Sequence, residues 1–300
     1  MEKRPVCLGR KLSVADAQLI GSGYTSWVYA LEDGNVVKVL KQGDQEDAER
    51  EIRLAKWAFS KGIPTAISYD VVDVDGRPGL VYESLGRGNL RNVLRDEPER
   101  FDEILADYLT LLHTIHSVSD DEEQLPDAVC RYRSILQNAA KLLTAEEIAK
   151  TSALLDTIPG TRTIIHGDCQ IKNVRVVNGN LFLIDLDTLS RGDPIFELAS
   201  LFCCYRGYPA LSDEEFDNFF EISTETLSNV LEGLLKGYYP DLPEHIQAEN
   251  TKKIALLAWL SMVDYVLQDL PDDGAALAKM LQNFREALSG LDDLRLVRSL

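Results

Sequence analysis

His166-Gly167-Asp168 follows the short apolar run Ile164-Ile165, and Asn173 comes five positions after the aspartate. A carboxylate so placed can orient a hydroxyl and take its proton while the oxygen attacks a phosphoryl group. An amide oxygen five residues on can bind a hard cation from the same loop. A second acidic pair stands in Leu183-Ile184-Asp185-Leu186-Asp187, where strand alternation would set Asp185 and Asp187 on one face. Two like charges so close need a counter-ion or a proton, and magnesium, held by oxygen ligands and substrate phosphates, suits them. Each motif alone is also an ordinary polar turn; together they point to phosphoryl transfer.

The front of the chain carries residues suited to holding phosphates. Gly21-Ser22-Gly23 lets the backbone turn sharply and approach a ligand closely, although a plain hairpin turn would look the same. Lys38 lies in Val36-Val37-Lys38-Val39-Leu40, on an otherwise apolar strand. A lysine there either snorkels from an edge or holds an anion, steadied by a carboxylate from the next helix. Glu51 and Glu49 are the candidates.

These residues need elements to position them. Apolar runs at 19–30 and 35–40 around Asp33-Gly34, and at 67–74 and 80–83 around Asp75-Gly76, predict strands joined by tight turns. Residues 46–60 predict a helix with Ile52, Ala55, Trp57, Ala58 and Phe59 on its apolar side, ended by Gly62 and Pro64. A short flexible segment, 84–88, precedes a mostly helical remainder. Helices are expected at 101–117 (Leu105, Tyr108, Leu109, Leu112 and Ile115 inward), 132–143, 145–155, 196–204, 213–235, 243–267 and 274–288. One hairpin, 174–177 with 181–185 around Asn178-Gly179-Asn180, interrupts them. A strand-rich front and a helical back predict two lobes with a cleft.

With 31 basic and 49 acidic residues the net charge is −18, which argues against nucleic-acid partners and anionic membranes and permits a cationic substrate. Asp213-Glu214-Glu215, Asp217, Glu221, Asp264, Asp269, Asp272 and Asp273 could line an amine pocket or simply be solvated surface. The five cysteines include no metal-ligand spacing, and the chain opens without a secretory h-region, so reduced thiols in a cytoplasm are expected. Cys203-Cys204, His113, His116, Trp57 and Trp259 read as packing or capping residues, and Trp27 as packing or a shield over phosphates.

From about Leu19 to Leu201 the chain resembles the aminoglycoside phosphotransferase family of the protein-kinase-like fold, which includes choline, fructosamine and homoserine kinases. The resemblance rests on H-G-D-x-x-x-x-N at 166–173, I-D-x-D at 184–187, and Gly192-Asp193-Pro194-Ile195-Phe196-Glu197-Leu198-Ala199. It rests also on Arg50-Glu51-Ile52 with Gly62-Ile63-Pro64. Glu197 replaces the family's usual Asp, and Cys169, Gln170 and Ile171 depart from the common loop sequence.

The resemblance implies an α+β, two-lobed protein-kinase-like fold. A small antiparallel-sheet N-lobe (1–83) would bind the nucleotide, 84–88 would be a hinge, and a larger, mainly helical C-lobe (89–300) would carry the catalytic loop and acceptor-binding helices. It implies ATP and Mg2+ as cofactors, with Asp168 as catalytic base and Asn173 and Asp185 as metal ligands. Gly21, Ser22, Gly23 and Lys38 would hold phosphates. Glu51, now preferred to Glu49, would fix Lys38. Glu83 to Leu85 would meet adenine at the hinge, with Tyr82 just before it on the nucleotide side, and His166, Asp187 and Asp193 would support the site. The expected acceptor is a hydroxyl of a small molecule, with positive charge permitted. H-G-D in place of H-R-D counts against a protein kinase, and the filled catalytic positions count against a pseudokinase acting as an interaction module.

Overall fold

Asp75 and Gly76 both adopt positive φ (51° and 84°), the conformation that lets two strands reverse without splaying. They join β5 (Ser68–Val74) to β6 (Arg77–Glu83). The computed structural model describes residues 10–23, 25–212 and 219–297. The other strands of this sheet are β1 (Lys11–Leu12), β2 (Gln18–Ser22), β3 (Ser26–Ala30) and β4 (Asn35–Leu40), in the order β1-β5-β6-β4-β3-β2. Neighbours are antiparallel except β1, which runs parallel to β5, so the sheet is mixed. Val37, Val39, Val72, Val74 and Val81 interleave on one face.

The other face takes helix α1 (Gln45–Ser60). Asp44 accepts from Glu46 N and Asp47 N, and the Asp47 side chain returns to Asp44 N, a capping box that contributes about 1 kcal/mol. Ala48 and Ile52 pack with Leu40 and Leu80. Phe59, expected on the inward side, is instead 49% exposed, and Trp57 is only half-buried. The inward stripe is 48, 52, 55 and 58, and Phe59 falls just past its edge.

The chain divides into two compact units, Met1–Leu90 with Asn173–Asp187, and Arg91–Lys172 with Thr188–Leu300. The hairpin of β8 (Val174–Val177) and β9 (Asn180–Leu183) joins the first because Leu183 N donates to Pro64 O at 2.7 Å and Val176 N to Gly88 O at 3.1 Å.

The second unit is helical: α2 (Leu90–Asp96) enters it, followed by α3 (Phe101–His116), α4 (Ala128–Ala139), α5 (Ala145–Thr157), α6 (Ile195–Phe202), α7 (Thr224–Tyr238), α8 (Glu244–Asp269) and α9 (Gly274–Ser289). Strands β7 (Ile164–Ile165) and β10 (Ser190–Arg191) pair antiparallel. The buried stripe of α3 is Ile104, Tyr108, Leu111, Leu112 and Ile115. Leu105 and Leu109, expected inward, are half-buried against α7, where a Cβ on Gly233 or Gly237 would come within 2.4 or 2.5 Å of them. The expected start of the seventh helix at Asp213 lies outside the described residues. No described helix is long and apolar enough to cross a membrane.

Candidate active site

In the second unit the loop after β7 is pinned by one buried carboxylate. Glu197 on α6 accepts from the backbone amides of His166 at 2.5 Å, Gly167 at 3.1 Å and Cys169 at 3.4 Å. Burial alone would raise its pKa, but the neighbouring His116 and His166 and the loop amides outweigh that and hold it below the usual carboxylate range. His116 Nε2 stands 3.7 Å from Glu197 Oε2, and its Nδ1 lies 2.5 Å from Tyr238 Oη.

Asp168 is half-buried at the tip of this loop. Its amide donates to His166 Nδ1 at 3.2 Å, and Thr188 Oγ1 donates to His166 O at 2.8 Å, so fully buried His166 braces the loop from within. Gly167 has φ 83°, and a Cβ there would meet Thr188 O at 2.7 Å. Farther along the loop, Ile171 N donates to Tyr205 Oη at 2.9 Å. Tyr205 contacts Tyr108 Oη at 3.1 Å, and Tyr108 donates to Cys169 O. Burial raises both phenols, keeping them protonated as this chain of bonds requires. Buried Asp193 accepts from Ile195 N at 2.9 Å at the start of α6.

Cys204, which sequence reasoning assigned to packing, reaches the reactive region. Its Sγ lies 3.8 Å from Asp168 Oδ1. Burial and the Asp168 charge push this thiol well up, so it remains an S–H donor. A π-type turn, Cys203–Gly207, re-aims the chain here, closed by Tyr208 N on Cys203 O at 2.8 Å.

Asp168 and Cys204 open onto a cavity of about 590 Å³ within the second unit. Asn138, Arg131, Tyr208, Tyr265, Asp264 and Asp269 are among its other lining residues. Asp264 is buried, and its carboxylate accepts from Asn138 Nδ2 at 3.0 Å and Gln268 Nε2 at 2.7 Å, with no described Lys, Arg or His within 4.0 Å. The remaining acidic candidates are placed otherwise. Glu221 pairs with Arg91 and Arg95, Asp273 caps α9, exposed Asp272 is not among the residues lining the cavity, and Asp213, Glu214, Glu215 and Asp217 lie outside the described residues.

In the first unit Lys38 is buried and bridges two carboxylates, Glu51 Oε1 at 2.9 Å and Asp185 Oδ1 at 2.5 Å. Burial would lower its pKa, but the two negative charges more than reverse this and the net shift is upward. Glu49 bonds Gln45 instead. Tyr82 Oη donates to Glu51 Oε1 at 3.2 Å, and its own pKa is raised by burial and by that carboxylate. Tyr82 therefore positions Glu51. Glu83 Oε1 accepts from Ile67 N at 2.6 Å, which ties the end of β6 to β5, and Leu85 is half-buried.

Asp185 departs from the expected alternation: β9 ends at Leu183, Asp185 has φ 62°, and a 3₁₀ turn covers Leu186–Thr188. Asp187 is exposed in that turn. Ile184 N donates to Asn173 O at 3.0 Å, bringing Asn173 beside the Asp185 segment. Their side chains supply oxygen donors alone, and no described cluster of three His, Cys, Asp or Glu could hold a metal ion by itself. An oxygen donor set suits magnesium, which takes one or two carboxylates and completes its shell with phosphates and water.

At the glycine turn, Gly23 N donates to Ser26 O at 3.0 Å. Lys41 Nζ reaches Gly23 O at 2.5 Å and lies 5.1 Å from the Trp27 ring centroid. Lys41 is a residue that sequence reasoning missed. Its signal was its place one residue past β4, which pairs with the strand leaving the turn.

A family model described as the phosphotransferase enzyme family matches residues 16–245. Among solved structures, the chain is similar to APH(2")-IIa in a ternary complex with streptomycin and ATP (18% identity, 94% of this chain and 93% of that chain, TM-score 0.57). It is similar to a choline/ethanolamine kinase family protein from Mesorhizobium loti (14% identity, 93% and 89%, TM-score 0.60). It is also similar to the aminoglycoside phosphotransferase APH(2'')-Ib with ADP bound (16% identity, 97% and 96%, TM-score 0.55). The likeness establishes the shared fold: α+β, with a mixed-sheet N-terminal lobe and a helical C-terminal lobe. No curated protein sequence matches the chain.

Proposed function

Since the chain belongs to the phosphotransferase enzyme family, we propose that it moves the γ-phosphoryl group of ATP, with magnesium, to a hydroxyl of a small molecule that carries a positively charged group. The observation that carries this reading is Asp168 on the wall of a 590 Å³ cavity that also presents the buried Asp264 carboxylate. That volume suits a small molecule better than a polypeptide. A buried carboxylate held by two neutral amides, with no described cation beside it, favours a cation in the same space.

In this reading Asp168 accepts the proton of the acceptor hydroxyl as its oxygen attacks the γ-phosphorus. The bond from that phosphorus to the β–γ bridging oxygen breaks, and ADP leaves. A positioned base contributes roughly 10²–10⁴-fold. Lys38 meets the nucleotide phosphates, oriented by Glu51 and, through it, by Tyr82. The backbone of 83–85 faces the adenine, and Gly21, Ser22 and Gly23 cover the phosphates with Lys41 behind them. Asn173 and Asp185 would hold magnesium, whose charge offsets that of the phosphate oxygens. Asp187, Asp193 and His166 keep these groups in place.

Similar structures hold streptomycin and gentamicin, which supports a hydroxyl-bearing small molecule as acceptor. The test is ADP formation across aminoglycosides, neutral sugars, amino alcohols and nucleosides. Turnover of a cationic acceptor that is lost in Asp168→Asn supports the reading. Best turnover of a neutral sugar or nucleoside overturns the charge assignment, and no ADP formation with any hydroxyl acceptor overturns the kinase.

A further inference from the structure

The cavity in the second unit is not uniformly acidic. Arg131 lines it together with Asp264 and Asp269. Other arginines of this unit have carboxylate partners: Arg133 has Asp156 at 2.6 Å, Arg191 has Glu123 at 3.2 Å, and Arg206 has Glu232 at 3.1 Å. No ion pair among the described residues includes Arg131. An arginine with no described carboxylate partner is notable in a chain with a net charge of −18. Arg131 is itself exposed and lines the cavity together with Cys203.

The spacing along α4 orders the two charges. Arg131, Ser134, Ile135 and Asn138 all line the cavity, at i, i+3, i+4 and i+7, so they form one face of the helix. Asn138 holds the Asp264 carboxylate at 3.0 Å. Arg131 lies two turns earlier, about 10 Å along the axis. The cavity therefore offers a carboxylate at one end of this face and a guanidinium at the other. A guanidinium on a cavity wall is a two-pronged donor matched to carboxylate or phosphate.

We infer that the acceptor is a hydroxylated zwitterion with separated charges, its ammonium at Asp264 and an anionic carboxylate or phosphate at Arg131. This rests on the kinase reading above and narrows its substrate class. A purely cationic acceptor would place positive charge against Arg131 without recompense. An α-amino acid, whose two charges share one carbon, would not reach both ends.

Four hexoses form a charge cycle on one ring: glucose, glucosamine, glucose 6-phosphate and glucosamine 6-phosphate. Calorimetry with Mg-ADP present reads their affinities for the wild-type chain, Arg131→Met and Asp264→Asn. The expected result is glucosamine 6-phosphate at least about tenfold tighter than either singly charged sugar. Arg131→Met should remove the advantage of the phosphate and keep that of the amine, and Asp264→Asn should do the reverse. Glucosamine binding as tightly as glucosamine 6-phosphate, a ratio unmoved by Arg131→Met, or no binding of any of the four overturns the inference. Failure of the kinase reading is seen separately, as wild-type protein that does not bind Mg-ATP.

Discussion

Glu197 Oε2 accepts the backbone amide of His166 at 2.5 Å across thirty-one residues of chain, and the same carboxylate takes the amides of Gly167 and Cys169. One fully buried side chain thus fixes the backbone that carries Asp168. The extra methylene of a glutamate, where the family usually has aspartate, extends its reach toward these amides.

The pKa of Glu197 lies below its ordinary value of 4.5 in the folded chain. A depressed carboxylate is more readily protonated when unfolded. Its stabilising contribution is therefore complete above that ordinary value and is lost as pH falls through the folded one. Melting temperature measured from about pH 7 to about pH 3 should fall steeply at the acid end for wild type. Glu197→Gln should start lower and fall less. Parallel curves would show that Glu197 does not hold the loop.

Asp168→Asn should leave the melting temperature and ATP affinity nearly unchanged while lowering kcat by roughly 10²-fold or more. The side chain is half-buried beside Cys204 Sγ, and asparagine keeps its shape, so little packing is lost. Retention of more than about a tenth of wild-type kcat would remove Asp168 from the role of base.

Local signals carried much of this. Asp75-Gly76 and Asn178-Gly179 marked their turns because only left-handed residues fit there, and all four have positive φ. The loop from His166 to Asn173 was legible as a motif, and Lys38 as a charge on an apolar strand. Long-range relationships were not legible. Alternation failed at Asp185, where positive φ breaks the strand, and adjacent cysteines gave no hint that a π-type turn sets one of them against Asp168. Choosing Glu51 over Glu49 needed the family resemblance, because both lie on α1 and periodicity alone does not say which meets β4.

Lys38→Met should raise KM for ATP and lower kcat, and Glu51→Ala should do the same more mildly, since Asp185 remains as a partner at 2.5 Å. Tyr82→Phe should act in the direction of Glu51→Ala and add nothing to it, because its hydroxyl donates to the Glu51 carboxylate. Double-mutant cycles on kcat/KM check this; fully additive effects would mean that the three side chains do not act as one unit.

Cys204→Ala removes a donor from the charged form of Asp168, which raises a carboxylate's pKa. The acidic limb of the kcat/KM profile for the acceptor should move to higher pH. Cys204→Ser, which keeps a donor, should move it less. A profile identical in all three proteins would leave Cys204 as packing alone.

Asp264 is buried with two neutral amides and no described Lys, Arg or His within 4.0 Å. A ligand ammonium there would gain a charge-assisted bond of about 1.5–3 kcal/mol, equivalent to roughly 10–100-fold in affinity. Asp264→Asn keeps the shape and removes the charge, so KM for the acceptor should rise by about that factor. KM for ATP should not move, since the side chains assigned to the nucleotide belong to the other compact unit. The same attraction predicts a salt effect: the Asp264 carboxylate draws in the ligand's ammonium group, and added salt screens this over about 8–10 Å. Acceptor KM should therefore climb with ionic strength in the wild type and climb less in Asp264→Asn. A neutral acceptor with a salt-independent KM, unchanged by the substitution, would leave the Asp264 carboxylate as a helix-to-helix tie between α4 and α8.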